Sequence, residues 1–225
     1  YTVAVYIQVK EGKKVYRELD KVYSPGTYIS CETDTNTEIS NNIMAIWFDV
    51  FKPRKNIIKN STGTLIYGVS VVNIFTGQSS IFQHETDNNI NVTSFDELER
   101  YISIYNPSEI IIISPFDEPI LQSIMQYSNI KISTVHLLDS RNETNTKIAK
   151  CTNQKYIKEL LTFFYKEDTY DVCTQFKEYT VATQSFCYLL NFIQEHNPML
   201  NKKINIPEFN NTSNRVILAN HTLLQ

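Results

Sequence analysis

Residues 110–113 are four consecutive isoleucines, set between Glu109 and Ser114. So continuous an apolar run fits a strand buried on both faces rather than one with a wet side. Such a strand needs a layer above it and a layer below it, which points to an α/β chain. The flanks supply those layers. Upstream, Ser94 and Glu97 match a capping box, and Phe95, Leu98, Ile102 and Tyr105 then line one helical face until Pro107. Downstream, Pro119 suits the first turn of a second helix, with Ile120, Leu121, Ile124 and Met125 directed inward. Residues 130–138 form a further strand. Strand, helix, strand, helix, strand implies parallel members joined by right-handed crossovers.

The stretch 63–85, which leads into these units, organises the rest. Tyr67, Val69 and Val71 alternate with Gly68, Ser70 and Val72, the period of two that a strand requires. A turn at Thr76-Gly77 uses the permissive backbone of glycine, and an extended apolar pattern resumes over 80–83. Residues 43–51 form another apolar strand, and 52–62, with Pro53, form a long exposed hairpin loop. Antiparallel strands first, then helices alternating with strands, is an RNase H-like arrangement, a mixed sheet with flanking helices.

Two regions flank this body. Residues 2–9 alternate, with Val3, Val5, Ile7 and Val9 on one face, and 14–23 form a second strand after the Glu11-Gly12-Lys13 turn. Ser24-Pro25-Gly26-Thr27 reads as a type II turn, with Pro25 fixing one dihedral and Gly26 freeing the next. The chain is polar over 31–42, a first linker. Beyond the body, 139–152 reads as a loop. Helices follow over 155–165 (Ile157, Leu160, Leu161, Phe164) and 181–195 (Ala182, Phe186, Leu189, Leu190, Ile193), closed by Asn197-Pro198. Residues 202–213 form a second linker, and 215–225 begin a further unit.

With 225 residues, 42% of them hydrophobic and 20% charged, the chain has the composition of a soluble domain with a real core. A net charge of −3 gives no global argument for nucleic acid, so any such contact is local. No apolar run has membrane-spanning length, no signal peptide opens the chain, and the start at Tyr1 inside a strand-like run points to a piece of a longer protein. Cys31, Cys151, Cys173 and Cys187 are scattered and form no metal or disulfide pattern, which fits an intracellular protein. Sequons at Asn60, Asn91, Asn142, Asn210 and Asn220 reflect an Asn-rich composition; a secreted, glycan-bearing domain would be supported by them alone.

No phosphate-binding loop, dinucleotide fingerprint or nucleophile motif occurs, and the four His residues stand far apart. An RNase H-like nuclease needs clustered carboxylates to hold two metal ions. Asp49, Glu85, Glu97 and Asp139 are the acids that would have to converge, while the central strand offers the neutral amide Asn73. Solvated acids at element ends are the plainer reading, and an active metal-dependent nuclease is the alternative. Lys10, Lys13, Lys14, Arg17 and Lys21 gather around the first hairpin, mixed with Glu11, Glu18 and Asp20. Lys13, Lys14 and Lys21 are candidates for contacts to a DNA backbone.

Several of these stretches together resemble the MutS family. Residues 15–27 are similar to its Val-x-Arg-Glu-Val-x-x-Val-x-Thr-Pro-Gly-Thr segment, and 3–8 to the strand before it. Residues 41–46 resemble the start of its connector domain. In 67–77, Gly68, Thr76 and Gly77 agree with the family pattern, while Asn73 replaces the usual Asp. The tail 216–224 resembles the segment leading into the family core, with Ala219-Asn220 in place of Leu-Asp. The resemblance implies a divergent member. Residues 1–40 would end the mismatch-recognition domain, 41–197 would be the RNase H-like connector, and 198–225 would lead into the core and lever. It implies no catalytic, cofactor or metal residues here, and structural turns at Pro25, Gly26, Thr76 and Gly77. ATP and magnesium would belong to the longer protein, as would mismatched double-stranded DNA, a MutL-type partner and dimerisation.

Overall fold

The computed structural model describes residues 2–12, 14–27, 41–52, 63–131, 134–142, 146–166 and 168–210. The first linker and the long loop proposed above therefore lie largely outside the described residues, as do Lys13, the end of the second linker over 211–213 and the tail 215–225.

Two sheets form. The first is the antiparallel ribbon of β1 (Val3–Glu11) and β2 (Lys14–Tyr23), with a register shift between Val5 and Tyr6. The second has six strands. β3 (Asn42–Phe51), β4 (Thr64–Asn73) and β5 (Ser79–Asp87) run as an antiparallel meander. β6 (Glu109–Ser114) and β7 (Val135–Asp139) add in parallel beside β3. β8 (Glu208–Phe209) adds in parallel beside β5, so the order is β7-β6-β3-β4-β5-β8. Only β4 runs against the others.

Helices cover both faces. α1 (Asp96–Tyr105) and α2 (Glu118–Tyr127) place Phe95, Leu98, Ile102, Leu121 and Ile124 over Met44, Ile46, Tyr67, Val69 and Ile112. The other face receives α3 (Thr146–Cys151), α4 (Gln154–Tyr165), the short α5 (Thr169–Val172) and α6 (Gln175–Glu178), and α7 (Thr180–His196). Ile111 and Ile113 face this second layer, while Ile110 and Ile112 face the first. All four isoleucines are at most 1% exposed, as a strand sandwiched between two layers requires.

α7 lies directly on the sheet. A Cβ at Gly68 of β4 would sit 2.2 Å from the Ala182 amide nitrogen, so only glycine lets the helix backbone come this close. Gln83 of β5 reaches across to accept from the backbone N–H groups of Val181 (3.0 Å) and Ala182 (3.3 Å), capping a helix that has no cap of its own. Ser185 donates to the Ala45 carbonyl at 2.8 Å, which ties mid-helix to mid-sheet.

Some details differ from the sequence expectations. Ser94 does not cap α1; it sits inside a 3₁₀ turn (Val92–Phe95) capped by Asn91, and Glu97 pairs with Arg100 instead. The third parallel strand is Val135–Asp139, shorter than expected; Ile130, read as its start, instead donates its N–H to the Met125 carbonyl and closes the end of α2. Ile120 is exposed rather than inward. The stretch read as a loop over 139–152 contains α3, and the stretch read as a linker from 202 contains β8.

Candidate functional site

A group of long-range polar interactions gathers where β6 begins. Glu109 is the first residue of β6, in register with Ile43 of β3, and its side chain is fully buried. By strand alternation it shares the α7 side of the sheet with Ile111 and with His136, which is in register with Ile111. The 24–27 turn closes over it. Ser24 Oγ donates to Glu109 Oε2 at 2.7 Å, the Gly26 N–H donates to the same oxygen at 2.8 Å, and His136 Nε2 lies 2.6 Å from Oε1. Burial works to raise the Glu109 pKa; the bonds from His136, Ser24 and Gly26 outweigh it and hold the carboxyl below its ordinary range.

The turn is built to fit this carboxylate. Thr27 N–H donates to the Ser24 carbonyl, Thr27 Oγ1 accepts from Ser24 N–H, and both residues are buried. Asn41 Nδ2 donates to the carbonyls of Pro25 and Gly26, while its Oδ1 accepts from Ser108. Pro25 and Gly26 do form a turn, but not of type II, because Gly26 does not have the positive φ that type demands. Glycine is needed here for a different reason. A Cβ would stand 2.6 Å from both Glu109 Oε2 and Ile43 Cγ1. At the β4–β5 turn, by contrast, Gly77 does have φ +75°, and Asn73 Oδ1 accepts from the N–H groups of Phe75 and Thr76. Asn73 thus serves the turn with its side chain.

Most side chains of the ribbon are exposed, while residues 19–23 of β2 line a cavity with Glu195 and His196 at the end of α7. Val3 (54% exposed) and Tyr6 (60%) lie on opposite faces of it, so both faces present apolar side chains. Lys14 and Lys21 are exposed on β2, seven residues apart, which at strand spacing is roughly 20 Å. The structure does not bring them into one patch, and Lys13 lies outside the described residues.

The four candidate acids fare similarly. Asp49 and Glu85 both align with Ile66 from opposite sides, which puts them two strands, about 10 Å, apart on the α7 face. Glu97 lies on α1, over the other face, and Asp139 follows the alternation of Val135 toward that same face. At the carboxyl end of β7, Arg141 bridges Asp139 and Asp117, 2.9 Å from each. The hydrogen bonds from Arg141 lower the Asp139 pKa. Among the described residues no group of three or more His, Cys, Asp or Glu is placed to hold a metal ion. Glu109, His136, Asn41 and Arg141 are the polar residues that motif reading passed over.

The order of β5, β4, β3, β6 and β7, with β4 antiparallel and helices on both faces, defines an α/β, RNase H-like fold. No protein-family model matches the chain. A curated relative, a DNA mismatch repair mutS homologue of Acanthamoeba polyphaga mimivirus, is 25% identical over 243 aligned positions. The alignment takes in 100% of this chain and 21% of the relative, so the chain spans about a fifth of that protein's length. Among solved structures, the Fowlpox virus resolvase in complex with Holliday junction DNA is 13% identical. It covers 66% of this chain and 97% of its own, with a TM-score of 0.34, too slight a likeness to bear on function. No helix among the described residues is long and apolar enough to cross a membrane.

Proposed function

We propose that this chain is the non-catalytic connector module of an intracellular MutS-type DNA mismatch repair protein. In this reading the β1–β2 ribbon belongs to the mismatch-recognition end, and the α/β body passes its position on to a downstream ATPase. ATP, magnesium, mismatched double-stranded DNA and dimerisation belong to the longer protein, and the body offers a docking surface to a MutL-type partner. The observation that carries the reading is that similarity to the mimivirus mutS homologue runs along the whole chain rather than through one motif. Two structural features support it. The ribbon is fastened to the body through a buried carboxylate, as a module that transmits position needs. The acids that two-metal cleavage would use are dispersed over two faces, and the guanidinium of Arg141 sits between Asp117 and Asp139.

The test is direct. The chain is incubated with RNA–DNA hybrid and with single-stranded DNA, in magnesium and in manganese, and titrated with ATP and magnesium in a calorimeter. No cleavage and no heat of binding are expected. Cleavage that disappears in Asp49→Asn or Asp139→Asn, or specific ATP binding, would replace the connector reading with an enzyme.

A further inference from the structure

The fully buried Glu109 carboxylate is paired with a histidine rather than with an arginine or lysine. The other donors to it, Ser24 Oγ and Gly26 N–H, are neutral and both come from the 24–27 turn. We propose that the Glu109–His136 pair is a proton-operated latch, which holds the 24–27 turn and the root of the β1–β2 ribbon on the sheet and lets go on acidification. The proposal concerns this chain alone and does not rest on the mismatch-repair reading.

The geometry dictates the direction. With one proton between Oε1 and Nε2, the 2.6 Å contact is a hydrogen bond, and Oε2 is left to accept from both turn donors. A proton taken up by Glu109 puts an O–H against a donor on whichever oxygen carries it, the His136 N–H at Oε1 or the Ser24 and Gly26 donors at Oε2. A neutral carboxyl also holds Ser24 and Gly26 less strongly than a carboxylate. Loss of both turn bonds removes the contacts that seat Gly26 between Glu109 and Ile43.

Solvent can deliver the proton. The His136 side chain is 35% exposed and lines a cavity of about 220 Å³ with Lys147, Tyr188, Asn191, Glu195 and His196. The other charged groups there are otherwise engaged. Lys147 pairs with Glu195 at 2.6 Å. His196 donates from Nδ1 to the Phe192 carbonyl, and the Phe192 ring stacks on its imidazole and also contacts His136. The turn supplies no titratable side chain, and neither do Asn42 and Ile43 of β3. Among the described residues, the proton that releases the turn is therefore the one taken up by Glu109.

The experiment is amide hydrogen exchange of the intact 225-residue chain, read by NMR as the protection of the Gly26 amide from neutral to acid pH. The Gly77 amide, bonded to the Asn73 carbonyl at 2.8 Å, is the internal reference for global unfolding. Opening linked to uptake of one proton makes Gly26 protection fall about tenfold per pH unit while Gly77 stays protected. In His136→Gln the side-chain amide can turn from donor to acceptor as Glu109 gains its proton, so the acid release should be clearly weaker than in the native chain. Glu109→Ala should leave the Gly26 amide unprotected at every pH, and if that variant does not fold, the partly exposed His136→Gln still decides. Loss of protection at Gly26 and Gly77 together, or the same acid release in His136→Gln as in the native chain, would overturn the latch. Either result would leave the connector reading where it stood.

Discussion

Gly68→Ala adds one methyl group to the middle of β4, and its sign tests how α7 is seated. In an open strand position, replacing Gly by Ala gains about 0.5–1 kcal/mol from backbone entropy. Here the new Cβ meets Ala182 N at 2.2 Å, and Ala182 Cα and Val181 C at 2.4 Å. Ordinary contact begins at 3.4 Å, and the atoms met are backbone, so no rotamer change relieves the clash. The helix has to retreat by roughly 1 Å, a gap that forfeits a quarter to a half of each dispersion contact across it. Most of α7 from Val181 to Leu190 is buried in that interface, together with Ile193. Overpacking costs about 1–3 kcal/mol, and a clash with backbone lies at the upper end of that range, so the net loss after the entropy gain should be about 2 kcal/mol. Urea unfolding followed by Trp47, the single tryptophan and part of the same core cluster, reads it directly. For a domain of this size the melting temperature should fall by roughly 4–8 °C. Ala182→Gly should not rescue Gly68→Ala, because it removes none of the clashing atoms. A Gly68→Ala chain as stable as the native one would refute the close seating of α7.

Ile111→Asp and Ile112→Asp should each abolish folding, since they place an unpaired charge in the two opposite cores at positions 1% exposed; loss of near-ultraviolet circular dichroism and of a compact elution volume would show it. A folded, soluble variant at either site would contradict the central placement of β6. Because the Glu109 pKa is lowered on folding, its contribution to stability is present above the ordinary carboxylate range and is lost as pH falls through the lowered folded value. Urea midpoints measured against pH should therefore show an acid loss that Glu109→Gln flattens; equal slopes in both chains would remove Glu109 as its source. On the proposed mismatch-repair reading, charge reversal at Lys13, Lys14 and Lys21 together should weaken DNA binding by the longer protein without regard to sequence and reduce the salt slope by roughly three, and an unchanged slope would return these residues to a solvated surface.

The fold was legible where the physics is local. Four isoleucines in a row can be satisfied only between two layers, and the alternation of Tyr67, Val69 and Val71 allows no helix. What could not be read has its causes elsewhere in the chain. β8 is two residues, Glu208 and Phe209, in register with Ser80 and Ile81 and carrying no strand pattern of their own. α5 and α6 are four residues each, too short for a helical period to register, and exist because Tyr170 and Phe176 pack into the core. Ser94 and Glu97 have the spacing of a capping box, yet Asn91 takes the role because the chain enters α1 through a 3₁₀ turn. Gly26 was readable as indispensable but not for the right reason: what it needs is room beside Glu109, not a left-handed backbone.

The candidate site shows the same division at the level of chemistry. Motif reading looks for acids in company, and it directed attention to Asp49, Glu85, Glu97 and Asp139, which the sheet keeps apart. Glu109 stands at the head of an apolar run with no polar neighbour in register, and its partners Ser24, Gly26 and His136 lie 85, 83 and 27 residues away. α/β sheets place their ligand sites beyond the carboxyl ends of the parallel strands. In this protein that end carries Arg141 locked between two aspartates, whereas Glu109, Asn41, Ser108 and the 24–27 turn gather at the opposite end. Buried polar networks of long sequence range rigidify what they join. A buried carboxylate that takes two of its bonds from the 24–27 turn, set at the end of the sheet away from the carboxyl ends of its parallel strands, fastens the root of the ribbon rather than furnishing a cleft.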